Sequence, residues 1–333
     1  MNELCEKHLQ TLKKQIGDVN ATGYRQPPVI DRYRSQAANG HRQVPVTDSH
    51  LPEPKFRTNR RKEMKDINVL SDTNAAVDVN WLEQLLRSAG KLFQDRTLAE
   101  QTREKGVADY VTAVDYEVQQ YIRTRLEKQY PGIQFLSEEK SNDDVDRSGL
   151  VWVLDPVDGT TNLIHDYQAS VISLALMDKG ESVLGMIYDP YMNEFFLAEK
   201  GKGSFCNGRR IHVSRAASME ECLIAIGTSP YYKELAEKNF DLFKRLFMDC
   251  QDVRRSGSAA RDLAYVACGR LDGYLEQRLK IWDFAAGMLL VREAGGCVRD
   301  YQGEDLGATM IGDVVAANSA VTELIKEKYL KTE

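Results

Sequence analysis

A layered architecture of the α/β or α+β class follows from two patterns in the 333-residue chain. Across residues 77–330, segments with apolar side chains three and four apart alternate with short apolar runs of strand length. Mixed alternation of this kind is satisfied by stacking helices on sheets. One run, Leu150-Val151-Trp152-Val153-Leu154, is apolar without a break, as a strand covered on both faces must be.

Residues 3–17 read as a short amphipathic helix, with Leu4, Leu9, Leu12 and Ile16 set among Glu and Lys. From Gly23 to Lys65 the chain carries five of its nine prolines, together with many Arg, Gln, Asn and Ser. Burial of so little apolar surface does not offset the entropy of ordering, so this stretch is expected to be disordered. Residues 1–73 therefore read as a basic, Pro-rich extension, and 74–333 as one globular body. Within the body, Leu82, Leu85, Leu86, Ala89, Leu92 and Phe93 predict one helix over Val77–Arg103. A second runs from Ala113 to Tyr130 and stops at Pro131-Gly132. Ile133–Leu136 is a short strand entering Ser137-Glu138-Glu139. Ser170–Met177, Val183–Tyr188 and Glu194–Ala198 read as successive strands, turned at Lys179-Gly180 and Asp189-Pro190. Helices are expected near Tyr232–Phe247 and Ser258–Cys268, a strand near Gly273–Glu276, a helix from Asp283 to Ala294, and a closing helix near Val321–Leu330.

The composition, 42% hydrophobic and 28% charged, is ordinary for a globular protein in water. No apolar stretch approaches the ~20 residues that span a bilayer, and the N-terminus lacks a signal-peptide core with its cleavage site. A cytoplasmic location without membrane contact is expected. The six cysteines are scattered and contain no Cys-x-x-Cys pair, which fits reduced thiols rather than a zinc or redox motif. Residues 1–75 hold 13 Lys and Arg against 9 Asp and Glu, a balance of +4 that leaves −10 on the rest of a chain whose net charge is −6. Two readings of that basic leader stand: a solvated tail, or a contact for nucleic acid or RNA polymerase.

Three acidic motifs carry the chemistry, each at the end of an apolar run. They are Phe135-Leu136-Ser137-Glu138-Glu139, the string Asp155-Pro156-Val157-Asp158-Gly159-Thr160-Thr161-Asn162, and Trp282-Asp283-Phe284-Ala285-Ala286-Gly287. Hard cations such as Mg²⁺ take oxygen ligands, usually a few carboxylates completed by water and substrate phosphate oxygens. Asp155 ends a buried strand and Asp158 follows three residues on, able to face the same ion. Gly159 allows close backbone approach to an anion, and Thr160-Thr161 can open a helix whose N–H groups bind phosphate. Alone, each motif is also met as an acidic turn, a helix cap or solvated surface. Neither His165 nor His212 has an acidic partner at a suitable spacing, and no Gly-x-Ser-x-Gly elbow is present, so neither a catalytic His nor a Ser nucleophile is expected.

Together these motifs, with Val111-Thr112-Ala113-Val114-Asp115 upstream, resemble the inositol monophosphatase family over residues 76–330. The stretch from Gly257-Ser258-Ala259-Ala260 through Glu276 to Arg292-Glu293-Ala294-Gly295-Gly296 is similar to the bacterial members. The resemblance implies an αβαβα sandwich of the sugar-phosphatase type and Mg²⁺-dependent hydrolysis of inositol 1-phosphate and related polyol monophosphates. By resemblance, Glu138, Asp155 and the Val157 carbonyl would hold a first Mg²⁺, Asp155, Asp158 and Asp283 a second, and Glu138 would help place a third. Thr160, hydrogen-bonded to Asp115, would orient the attacking water. Gly159 and Thr160 would hold phosphate, while Gly257, Ser258, Ala259 and Glu276 would line the polyol pocket, with Lys105 nearby. A lithium-sensitive homodimer is also implied. The rivals on the same scaffold are fructose-1,6-bisphosphatase, histidinol phosphatase and 3′(2′),5′-bisphosphate nucleotidase. From a different class, the rival is a binding or regulatory protein. Arg261 and Arg278 are the cations that would admit a second anionic group if either reached the pocket.

Overall fold

The structure, a computed structural model, describes residues 77–307 and 309–331. The expectations for 3–17, 23–65 and the boundary at 73 and 74 lie outside these residues. Among the described residues, two large sheets, one two-stranded hairpin and eight α-helices form the fold. Chain order begins with α1 (Val79–Ala89), α2 (Arg96–Ala99), the hairpin β1 (Thr102–Gly106) and β2 (Asp109–Thr112), then α3 (Ala113–Gln129). β3 (Gln134–Ser137), β4 (Leu150–Asp158), α4 (Thr160–Ile164), β5 (Val171–Asp178), β6 (Glu181–Asp189), β7 (Glu194–Glu199), β8 (Gly203–Cys206) and β9 (Arg209–Ile211) follow. The remainder is β10 (Leu223–Ile226), α5 (Ala236–Asp249), β11 (Asp252–Arg254), α6 (Ala259–Ala267), β12 (Gly273–Lys280), α7 (Ile281–Glu293), β13 (Cys297–Arg299), β14 (Ile311–Ala317) and α8 (Ser319–Ile325).

A seven-stranded sheet has the sequential order β3 to β9, parallel only between β3 and β4. The other sheet has the order β11-β10-β12-β14-β13. Strand alternation shows how the layers form. On β5, Val171, Ala175 and Met177 enter one core, while Ile172, Leu174 and Leu176 enter another with α1 and α3. On β14, Val314 and Ala316 join the first core, and Val315 and Ala317 join a third with α5 and α8. Helices α6 and α7 meet strands of both sheets in the first core. They are therefore the filling between the sheets, and the order of layers is αβαβα.

The middle layer fits closely. A Cβ on Gly185 of β6 would lie 2.7 Å from the carbonyl oxygen of Ala286 in α7, and one on Gly287 would lie 2.5 Å from Leu263 Cβ in α6. Three hydroxyls of the large sheet donate to α7 carbonyls: Ser173 to Trp282 (3.1 Å), Ser182 to Ala285 (3.0 Å) and Ser204 to Leu290 (2.6 Å). They fix the depth and rotation of the helix that carries Asp283. We expect Gly185→Ala to cost about 1–3 kcal/mol, because the obstructing atom is backbone and a helix must shift. Equilibrium denaturation measures this, and unchanged stability would mean that the contact is not tight.

Three expectations are corrected. The single helix over Val77–Arg103 is broken: Gly90–Gln94 tightens to 3₁₀, Asp95 caps a new turn by accepting from Leu98 N–H, and the chain enters β1. The last helix starts at Ser319 and gives way to a π turn over Lys326–Leu330. Asp283 is not an N-cap but the third residue of α7, after a β12 that extends to Lys280.

Candidate active site and metal centre

Asp155 and Asp158 lie in the last four residues of β4, which is buried to its end. A break in the β4–β5 register between them bends the strand, which stays paired to Val171 at Asp158. Gly159 then takes φ +92°, a conformation open to glycine at little cost, and α4 begins at Thr160. Asp283 arrives from the middle layer, at the start of α7.

One carboxylate oxygen each from Asp155, Asp158 and Asp283 falls within 4.8 Å of the others. One oxygen of each carboxylate is anchored by hydrogen bonds. Asp155 Oδ1 accepts from Val157 N–H (3.0 Å), and Asp283 Oδ2 accepts from Lys280 N–H (2.7 Å). Asp158 Oδ2 accepts from the Ser258 hydroxyl and Ala260 N–H, both at 2.6 Å. Asp155 Oδ2, Asp158 Oδ1 and Asp283 Oδ1 accept no hydrogen bond among the described residues. Burial raises all three above the usual carboxylate range. Repulsion from neighbouring carboxylates, Glu138 in every case, adds to this, and Asp158 reaches about 7 despite its two donors. An all-oxygen donor set of crowded, repelling carboxylates fits a hard divalent cation, which supplies the missing positive charge.

Glu138 follows β3 and lines the same cavity, of about 580 Å³, but its carboxylate lies outside this trio. It instead accepts from Lys105 Nζ (2.9 Å), which also donates to Glu139 (2.8 Å). Burial alone would lower the Lys105 pKa, but the two glutamates raise it overall. Lys105 sits on β1, so the hairpin lays a cation against the acidic rim. Asp115, buried at the start of α3, is held by Thr112 N–H (2.8 Å) and the Thr112 hydroxyl (2.5 Å). Burial raises it to about 6. Thr160 Oγ1 is 3.0 Å from both Asp115 Oδ1 and the Val157 carbonyl oxygen.

Gly159, Thr160, Gly257, Ser258, Ala259 and Glu276 all line the cavity. Glu276 is buried, with Oε1 accepting from Ser229 N–H (2.9 Å) and Oε2 from the Tyr274 hydroxyl (2.6 Å). Neither Arg261 nor Arg278 lines the cavity. Arg261 turns to Asp189 (3.1 Å) and the Tyr265 hydroxyl (3.1 Å). Arg278, at φ +61°, stacks over Tyr232 at 4.7 Å. The lining cations are Lys105, Arg255 and Lys280. Two further supports escaped the sequence reading: Asn162, which donates to Ala169 O and Ser256 O, and Ser170, which donates to Gly159 O. Asn162 closes the motif string and was visible there, while Ser170 has no distinguishing signal.

The family model described as the inositol monophosphatase family matches residues 71–332. The Nus factor SuhB of Escherichia coli is 40% identical over 240 residues, covering 71% of this chain and 90% of that protein. An inositol-1-monophosphatase of Mesorhizobium japonicum is 41% identical over 230 residues, 68% of this chain and 84% of that one. The crystal structure of the extragenic suppressor protein suhB from Bartonella henselae superposes with a TM-score of 0.71 at 36% identity, covering 76% of this chain and 98% of that one. The layered fold, the spacing of the acidic motifs and these likenesses agree, and the chain belongs to the inositol monophosphatase family.

Proposed function

We propose that the protein is a Mg²⁺-dependent phosphomonoesterase that hydrolyses inositol 1-phosphate and related polyol monophosphates. The observation that carries this reading is the set of three carboxylates, Asp155, Asp158 and Asp283, with one oxygen each within 4.8 Å of the others, in a cavity also lined by Gly159 and Thr160. Asp155, Asp158 and Asp283, with Glu138 and the Val157 carbonyl, would hold two or three ions. When bound, Mg²⁺ supplies Lewis-acid activation of the ester and of water, and neutralises the leaving oxygen. Gly159 and Thr160 N–H groups receive phosphate oxygens. The Thr160 hydroxyl has one proton for two acceptors, Asp115 and Val157 O, so its lone pairs remain to orient a water toward phosphorus. Glu276, already fixed by two donors, presents its remaining lone pairs to substrate hydroxyls. The same reading includes a lithium-sensitive cytoplasmic homodimer, with residues 1–73 an extension outside the catalytic domain.

Phosphate release over inositol 1-phosphate, fructose 1,6-bisphosphate, histidinol phosphate and adenosine 3′,5′-bisphosphate, with and without EDTA, tests this. Inositol 1-phosphate should be the best substrate, and chelation should reduce its turnover by at least ~100-fold. Turnover indifferent to EDTA refutes the metal assignment, and a better rate on another ester transfers the reading to that ester. A second reading draws on the name Nus factor carried by bacterial relatives. It is a partner-binding role toward RNA polymerase or nucleic acid, with the basic leader as contact. Failure to release phosphate from every ester would favour it.

A further inference from the structure

Arg255 occupies an unusual place among the cations of this molecule. It lines the cavity of the acidic cluster, and its guanidinium folds back over Gly257, where an added Cβ would lie 2.6 Å from Nη1. Gly257 in turn backs the glycine that opens α4: a Cβ on Gly159 would lie 3.2 Å from the Gly257 carbonyl oxygen. The guanidinium thus overhangs the edge of the phosphate seat. Its charge is also felt by the buried Glu276, which lines the same cavity.

Neighbouring arginines are committed elsewhere. Arg254 pairs with Asp252, Arg261 with Asp189 and Arg270 with Glu194. Arg255 has a single hydrogen bond, from Nη2 to the Thr228 hydroxyl, at a long 3.4 Å, and no ion pair among the described residues. An exposed arginine on open surface is ordinarily just solvated. This one faces a cavity whose other charges are mostly carboxylates, where a second anionic group on a substrate meets repulsion. An uncommitted guanidinium reverses the field at one point, and its planar fork matches a carboxylate or phosphate in two-point contact.

We infer that Arg255 forms an anion subsite in the catalytic cavity, so that the enzyme takes phosphomonoesters carrying a second negative group close to the ester. This rests on the phosphomonoesterase reading and adds anionic esters to its substrate class, beside inositol 1-phosphate. The matched probes are glycerol 2-phosphate and 2-phosphoglycerate, which differ by one hydroxymethyl group oxidised to carboxylate. Arg255→Ala should lower kcat/KM for 2-phosphoglycerate at least ~10-fold more than for glycerol 2-phosphate, and Arg255→Lys should retain part of that preference. Equal factors for the two esters overturn the inference. If the wild-type protein hydrolyses neither of these nor inositol 1-phosphate, the phosphomonoesterase reading fails separately. Calorimetric titration of 2-phosphoglycerate with Mg²⁺ then decides: tighter binding to wild type than to Arg255→Ala upholds the subsite, and equal binding removes it.

Discussion

Asp155→Asn is expected to lower phosphate release by at least ~10³-fold and, at the same time, to raise the melting temperature of the protein in EDTA. The loss follows from position. Asp155 is the carboxylate that Glu138, Asp158 and Asp283 all crowd electrostatically, each raising its pKa beyond the effect of burial. Removing its charge weakens every ion the cluster would hold. The gain follows from the same crowding. Asn keeps an oxygen to accept from Val157 N–H, so the β4 turn retains its anchor while one repelling buried charge disappears. Each kcal/mol relieved corresponds to roughly 2–4 °C in a domain of this size. Saturating Mg²⁺ should reverse the ranking, raising the wild-type melting temperature by more than that of the variant. Near-normal turnover, or a lower melting temperature in EDTA, would contradict the shared-ligand arrangement.

Thr160→Val should reduce kcat by about 10²–10⁴-fold with little change in KM. Valine preserves the branched shape at the start of α4 and removes only the hydroxyl. Asp115 remains held by both groups of Thr112, so the deletion does not release it. Thr160→Ser restores the hydroxyl and should recover most of the rate. A valine variant whose kcat stays within about threefold of wild type, or a serine variant as slow as valine, would show that the hydroxyl does not position the attacking water.

The strands that matter to the site announce themselves in the sequence because they are buried on both faces. Leu150–Leu154 reads as apolar without interruption, and the acidic motifs begin where apolar runs stop. The β1–β2 hairpin gave no such signal. Every residue of β1 is exposed, so no apolar alternation marks it, yet it carries Lys105 to the glutamates. β9, β11 and β13 are three residues long, too short for a period to register. The arginines illustrate a different limit. Arg261 and Arg278 stand next to site motifs in sequence, but their directions are set by partners far along the chain, Asp189 and Tyr232. Arg255 enters the cavity because Gly257, with φ +86°, leaves room above its backbone. Local spacing contains neither fact.

The serine hydroxyls that lock α7 onto the large sheet have a consequence for how the molecule senses its own integrity. Asp155 and Asp158 belong to one slab and Asp283 to the slab beside it, so the cluster is a gauge set across a seam. Sliding the slabs by a fraction of an ångström alters the gap between the oxygens before any core residue is exposed. Substitutions along that seam, at Ser182 or Ser204 far from the chemistry, should therefore register first as weakened ion uptake and only later as unfolding.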